Sequence, residues 1–175
     1  MPKQKVSSKK SVGNAKRIDT RPTWDEYFME IARVVALRAT CDRGRSGCVI
    51  VRGKHVLTIG YVGAPAGLPH CDEVGHQMKK TIHEDGHITD HCVRTIHAEQ
   101  NAILQAAKLG VVLDGTTLYC KMTPCRVCAM LIIGVGIKRV IADKRYQAGE
   151  ESELMLKKAG VKLEHFHNEV EEYKK

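Results

Sequence analysis

The sequence predicts one α/β domain in which helices cover a sheet, and three observations predict it. The chain has 175 residues, enough for a single domain with a sizeable core. Hydrophobic residues make up 43% of it, an ordinary share for a soluble globular protein. After an opening helix and a hairpin, helical and strand-like apolar patterns alternate almost to the C-terminus, which is the signature of a layered α/β architecture.

Residues 1–21 read as a tail and residues 22–175 as the folded domain. The tail holds Lys3, Lys5, Lys9, Lys10, Lys16, Arg17 and Arg21 against the single acid Asp19, so +6 of the formal +8 lies there and only +2 in the rest. It is poor in apolar residues and is expected to be disordered and solvated. Binding to a polyanion is the alternative it leaves open, although nucleic acid is not the expected partner. No apolar run approaches the roughly 18 residues of a membrane span. The N-terminus lacks the apolar core of a signal peptide, so a cytoplasmic location is expected and no membrane partner.

Within the domain, Thr23 and Glu26 have the spacing of a capping box. Phe28, Ile31, Val34, Val35 and Leu37 follow at helical spacing to about residue 40. "CVIVRGKHVLTIGY" is rich in β-branched residues on either side of Gly53-Lys54 and predicts a β-hairpin. "GAPAGLPHCDEVGH" is too rich in Gly and Pro to be other than loop. "HAEQNAILQAAKL", residues 97–109, predicts a helix that Gly110 ends. "TTLYCKM" (116–122) predicts a strand, and Pro124 opens a helix through "CRVCAMLIIG". "KRVIADK" predicts a strand, "ESELMLKKAG" a helix stopped at Gly160, "VKLEHF" a short strand and "NEVEEYKK" a polar terminal helix.

Seven cysteines, an odd number without a secretion signal, are expected to be metal ligands or core residues rather than disulfides. Residues 83–99, "HEDGHITDHCVRTIHAE", contain two metal patterns. His83-Glu84-Asp85-Gly86-His87 matches the H-E-x-x-H of zinc peptidases, which works only on a helix. Asp85-Gly86 is a turn signal and no apolar stripe would dock such a helix, so this match is set aside. His97-Ala98-Glu99, in contrast, opens the best helix in the chain. Pro124-Cys125-Arg126-Val127-Cys128 opens another, and H-x-E followed by P-C-x-x-C is the signature of zinc deaminases.

The chemistry fits that placement. A hydrolytic zinc needs three protein ligands and an open position for water, and His97, Cys125 and Cys128 supply three. Thiolates are favoured at a helix N-terminus. Glu99 is then free to shuttle protons. A closed zinc site would need a fourth ligand and would leave Glu99 idle.

Here the sequence resembles the deoxycytidylate (dCMP) deaminase family over roughly residues 21–165. The resemblance rests on "RPTWDEYFMEIA", "GYVGAPAGLPHCDEVGH", "CVRTIHAEQNAILQAAKLG", "GTTLYCKMTPCRVCAMLIIGVGIKRVI" and the following "KRY". It implies a three-layer cytidine-deaminase-like fold with a central mixed β-sheet of about five strands flanked by helices. It implies zinc-dependent hydrolysis of dCMP to dUMP and ammonia, supplying a thymidylate precursor, with Glu99 passing the water's proton to N3 and to the leaving amine. It further implies a homo-oligomer, a hexamer foremost, activated by dCTP (with Mg²⁺ as its companion ion) and inhibited by dTTP.

Residue by residue, Ala98 and the Thr123-Pro124 turn correspond to positions that help read the base. Arg43, in "CDRGRSG", is the foremost candidate for the 5′-phosphate and Arg94 a second. Tyr146 corresponds to an aromatic that closes over the nucleotide. The family's G-Y-N-G stands here as Gly60-Tyr61-Val62-Gly63, and valine cannot make the asparagine's hydrogen bond to the nucleotide. "RSGCVI" likewise replaces V-G-A-V-I, placing Ser46 and Cys48 at altered positions.

Some bacterial-type relatives carry a second, structural zinc in the corresponding region. Cys41, Cys71, His76 and Cys92 would form such a closed site and pin a long polar loop, with His91 or His70 as substitute ligands. Cys48 and Cys120 are expected in the core, and His83 and His87 in solvent. The rival functions are deamination of another cytosine nucleotide, of tRNA or of single-stranded DNA on the same fold, and a non-catalytic zinc module. Mixed charge in "NEVEEYKK" and the 64–96 insertion speak against a nucleic-acid substrate; Glu99 speaks against the module.

Overall fold

A computed structural model describes residues 21–82, 86 and 88–171. The basic tail to residue 20, His83, Glu84, Asp85 and His87 lie outside the described residues, as do residues 172–175. The expectations for the tail and for solvent-facing His83 and His87 therefore concern residues that are not described.

Helix α1 spans Trp24–Ala36, and Thr23 and Glu26 form the full capping box at its start. Strands β1 (Gly47–Arg52) and β2 (His55–Tyr61) pair antiparallel around Gly53, whose φ of +57° suits the tight turn. A four-residue helix α2 (Cys71–Val74) interrupts the expected loop. A separate two-stranded ribbon, β3 (Met78–Ile82) with β4 (Ile88–Cys92), then follows. Next come α3 (Ala98–Leu109), β5 (Thr117–Met122), α4 (Arg126–Gly134), β6 (Arg139–Tyr146), α5 (Glu150–Lys158), β7 (Lys162–His165) and β8 (Val170–Glu171).

The main sheet runs β2-β1-β5-β6-β7, with the short β8 on the far end of β6. β1 is antiparallel to both of its neighbours, β2 and β5, whereas β5, β6 and β7 are parallel. This is the mixed sheet of about five strands that the family resemblance implied.

Strand periodicity builds the layers. Val49, Val51, Tyr119 and Ile141 point to one face and meet Phe28, Met29, Ala32 and Val35 of α1. Cys48, Ile50, Leu118, Cys120, Val140 and Ala142 point to the other face and meet residues of α3, α4 and α5. Both faces are covered, so β1 reads as a continuous apolar run rather than an alternating one. Gly60 allows the closest approach: a Cβ there would run into the Ala98 carbonyl and the Ala102 amide, so only glycine lets α3 lie this tightly on β2. Cys48 and Cys120 are fully buried and face each other across β1 and β5, as core residues should.

The C-terminal segment departs from the sequence reading. In the described part of "NEVEEYKK", residues 168–171, there is no helix, and Val170 and Glu171 pair parallel with Arg145 and Tyr146 of β6. Glu171 also forms an ion pair with Lys121 at 2.9 Å. Tertiary pairing overrides a helical propensity that is weak in so short a segment.

Candidate active site and metal centres

Two helix N-termini meet at the ends of the central strands. His97 is the N-cap of α3 and Cys125 the N-cap of α4. The Gln100 side chain accepts the His97 amide at 3.1 Å, and Asn101 Nδ2 donates to the Tyr61 carbonyl at 2.8 Å. The first turn of α3 is thereby fixed to the end of β2. The P-C-x-x-C spacing puts Cys125 at the cap and Cys128 one turn on, both facing His97.

His97 Nδ1 lies 3.4 Å from the Sγ of Cys125 and 3.4 Å from that of Cys128. The three donor atoms fall within 4.8 Å of one another. Two sulfurs and one imidazole nitrogen form a donor set that fits Zn²⁺, one ligand short of a closed tetrahedral site. The three groups also share their protons closely. A hydrogen bond from Cys128, and then His97, pulls the Cys125 thiol down to about 4, while Cys128 is pushed up by that same partnership. The Cys125 partner raises His97 to about 9.

Glu99 stands beside this set, only 5% exposed, with Oε2 3.6 Å from Cys128 Sγ. Burial pushes its carboxyl above the usual range. The carboxyl is held out of bulk water and is not a surface acid.

A cavity of about 370 Å³ opens onto these groups. His97, Ala98, Glu99, Thr123, Cys125 and Tyr146 line it on the side of the helices, and Cys41, Arg43, Ser46, Val62 and Cys92 on the other. Arg43 Nη2 donates to the Asp90 carbonyl at 2.9 Å, which ties the cavity wall to β4. Val62 is a buried apolar part of the wall. Pro124 is buried but is not on the cavity wall. Arg94 is not on it either: its Nε donates to the Gly75 carbonyl at 3.1 Å.

Cys41, Cys71, His76 and Cys92 form a second cluster of four donors within 4.8 Å of one another. Cys71 and Cys92 have sulfurs 3.6 Å apart, and His76 Nδ1 is 3.7 Å from Cys41 Sγ. Here burial and the Cys92 thiol push Cys71 up to about 12. Against burial, the backbone amides of Arg94 and Gln77 bring Cys92 down to about 7. This set fits a closed, four-coordinate zinc. Neither substitute histidine is in it: His70 pairs with Thr40 at 3.0 Å, and His91 lines the cavity. Sequence reading missed Asp42, whose carboxylate lies 3.0 Å from His76 Nε2 and orients that ring. It also missed Asp90, Thr95, Gln100 and Val127 on the cavity wall. Of these, Gln100 carried a signal, because it sits three residues after a helix cap.

The H-E-x-x-H match has only Gly86 among the described residues, and its φ of +79° is not that of an α-helix.

The model of the cytidine and deoxycytidylate deaminase zinc-binding region matches residues 22–144. The chain is 42% identical to ComE operon protein 2 of Bacillus subtilis, over 82% of this chain and 71% of that protein. It is 38% identical to the deoxycytidylate deaminase of Schizosaccharomyces pombe, over 83% of this chain but only 45% of the yeast protein. Among solved structures, the dCMP deaminase of cyanophage S-TIM5 in complex with dCMP and dUMP superposes with a TM-score of 0.67 at 28% identity. That match covers 84% of this chain and 99% of the phage chain.

Proposed function

The chain belongs to the cytidine and deoxycytidylate deaminase zinc-binding family, and from that premise we propose that it hydrolyses dCMP to dUMP and ammonia. One observation carries the mechanism: a buried carboxylate, Glu99, shares a cavity with a three-donor set that leaves one side open. His97, Cys125 and Cys128 would hold Zn²⁺, which would supply the acidity that makes water a nucleophile near neutral pH.

The chain's own groups do the rest. In the reaction C4 of the cytosine ring gains the oxygen of water and loses its amino group. Glu99 receives one proton from that water and passes it to N3, then takes the second from the hydroxyl formed at C4 and passes it to the departing amine, a relay for which a buried carboxyl with a raised pKa is suited. Ala98 and Thr123 line the cavity where the base is held, with Pro124 bracing the turn behind them, and Tyr146 covers it. Arg43 takes the 5′-phosphate, because a guanidinium matches phosphate geometry and this one already faces the cavity. Val62 gives the nucleotide an apolar wall without a hydrogen-bond donor.

Cys41, Cys71, His76 and Cys92 hold a second, structural zinc. Residues 22–175 act as one deaminase domain and residues 1–21 as its tail, in a cytoplasmic enzyme of thymidylate precursor supply. Among the described residues no helix is long and apolar enough to cross a membrane. Homo-oligomerisation, a hexamer foremost, is supported by Leu104 on α3 and by Val127, Met130 and Leu131 on α4, all exposed. Activation by dCTP with Mg²⁺ and inhibition by dTTP complete the proposal.

The test is ammonia release from a panel of dCMP, CMP, dCTP, deoxycytidine and a short cytosine-containing oligonucleotide. The proposal expects dCMP to turn over fastest. It fails if dCMP is inert with and without dCTP while another member of the panel reacts.

A further inference from the structure

Thr123 is 1% exposed, lines the catalytic cavity and lies two residues before Cys125. Its amide donates to the Lys144 carbonyl at 3.1 Å. Its hydroxyl oxygen accepts the Tyr146 amide at 3.3 Å. One hydroxyl thus joins two parts of the cavity wall, the turn that delivers Cys125 and the backbone of Tyr146.

The hydroxyl proton still needs an acceptor, since the group is buried. Two side chains are in reach. Glu153 Oε1 is 3.4 Å away, but both of its oxygens already accept from Arg145 Nη1 at 3.2 Å. His165 Nε2 is nearer, at 3.0 Å. Its side chain is only 8% exposed, and β7 brings it beside Ala142 of β6. Burial, and then the charge of Arg145, hold its imidazole below the usual histidine range, which favours the neutral ring, and Nε2 accepts in the tautomer that carries its proton on Nδ1. Gly149 packs against the Thr123 methyl, where a Cβ would come within 3.1 Å of Cγ2, so the threonine is held on that side as well.

We infer that His165 is a positioning residue for the deamination: by accepting the Thr123 hydroxyl it keeps Tyr146 and the Cys125 turn in one register. The inference rests on the deaminase reading above. Nothing in the zinc-binding pattern points to His165, which lies beyond the residues that the family model matches.

A double-mutant cycle tests it, with His165→Leu, Thr123→Val and the pair compared with the wild type for kcat and KM on dCMP. Resistance of the bound zinc to a chelator is measured on the same four proteins. Each single variant should lose about tenfold in kcat/KM, mostly through KM, as one buried hydrogen bond allows. The double variant should lose no more than Thr123→Val alone, because that change already removes the bond to His165 together with the acceptor of the Tyr146 amide. His165→Gln, which keeps an acceptor, should recover most of the loss; if His165→Leu does not fold, His165→Phe, which also lacks an acceptor, replaces it in the cycle. Losses that multiply to about a hundredfold, or a His165→Leu enzyme with wild-type KM, would overturn the inference. A wild-type protein that releases no ammonia from dCMP contradicts the deaminase reading instead. The chelator cycle then decides the role of His165: coupled losses support it and independent ones refute it.

Discussion

The two sulfur-rich clusters use the same kinds of ligand and differ in what surrounds them. His97, Cys125 and Cys128 sit at the first turns of α3 and α4, on helices packed against a buried sheet, and their remaining side faces a cavity with Glu99 in it. Cys41, Cys71, His76 and Cys92 come from the loop after α1, a one-turn helix, a loop and the end of a ribbon whose strand β3 is exposed throughout. Three donors on a rigid frame leave room for a reaction; four donors on short, separate segments leave none and would hold those segments together. On the proposed reading the same side-chain chemistry serves catalysis in one place and architecture in the other. The deciding variables are ligand count and the elements that carry the ligands.

The comparison can be broken from either side. Cys128→Ser at the open centre should abolish ammonia release and remove one zinc per chain, measured by elemental analysis, while the melting temperature changes little. Cys71→Ser at the closed centre should do the reverse. It should remove the other zinc and lower the melting temperature by several degrees, with turnover at saturating dCMP largely kept. If Cys71→Ser instead stops the chemistry at saturation, the division of labour is wrong.

Arg43 sits between the two regions, one residue from Asp42, which orients His76, and on the cavity wall. Arg43→Ala should raise KM for dCMP by about tenfold or more while leaving reaction with deoxycytidine unchanged, because only the phosphate is lost from recognition. The smallest effect is expected from Asp42→Asn. It should weaken zinc at the closed centre by about tenfold in a chelator titration and leave kcat alone, as loss of a carboxylate behind a metal-bound histidine does.

The open centre was legible in the sequence because its ligands lie at helix starts, where short spacings fix geometry. H-x-E leaves His97 at the cap and turns Glu99 inward; C-x-x-C places both sulfurs on one side of a first turn. The closed centre was legible only through family resemblance, since Cys41, Cys71, His76 and Cys92 are spread over loops whose paths no local period encodes. The β3–β4 ribbon escaped notice for a related reason. "MKKTI" is exposed along its whole length, so it has no buried face to impose an alternating pattern. The C-terminal strand was misread as helix because its pairing with β6 is a long-range contact, invisible to propensity. His165 shows the same limit, since only the parallel pairing of β7 with β6 brings it to Thr123.

The most direct measurement is ammonia and dUMP formation from dCMP by the wild type and by Glu99→Ala at matched zinc content. The account predicts equimolar products from the wild type and a loss of roughly 10²–10⁴-fold in the variant with its zinc intact. A Glu99→Ala enzyme as active as the wild type, or a zinc-loaded wild type that leaves dCMP untouched, would contradict it.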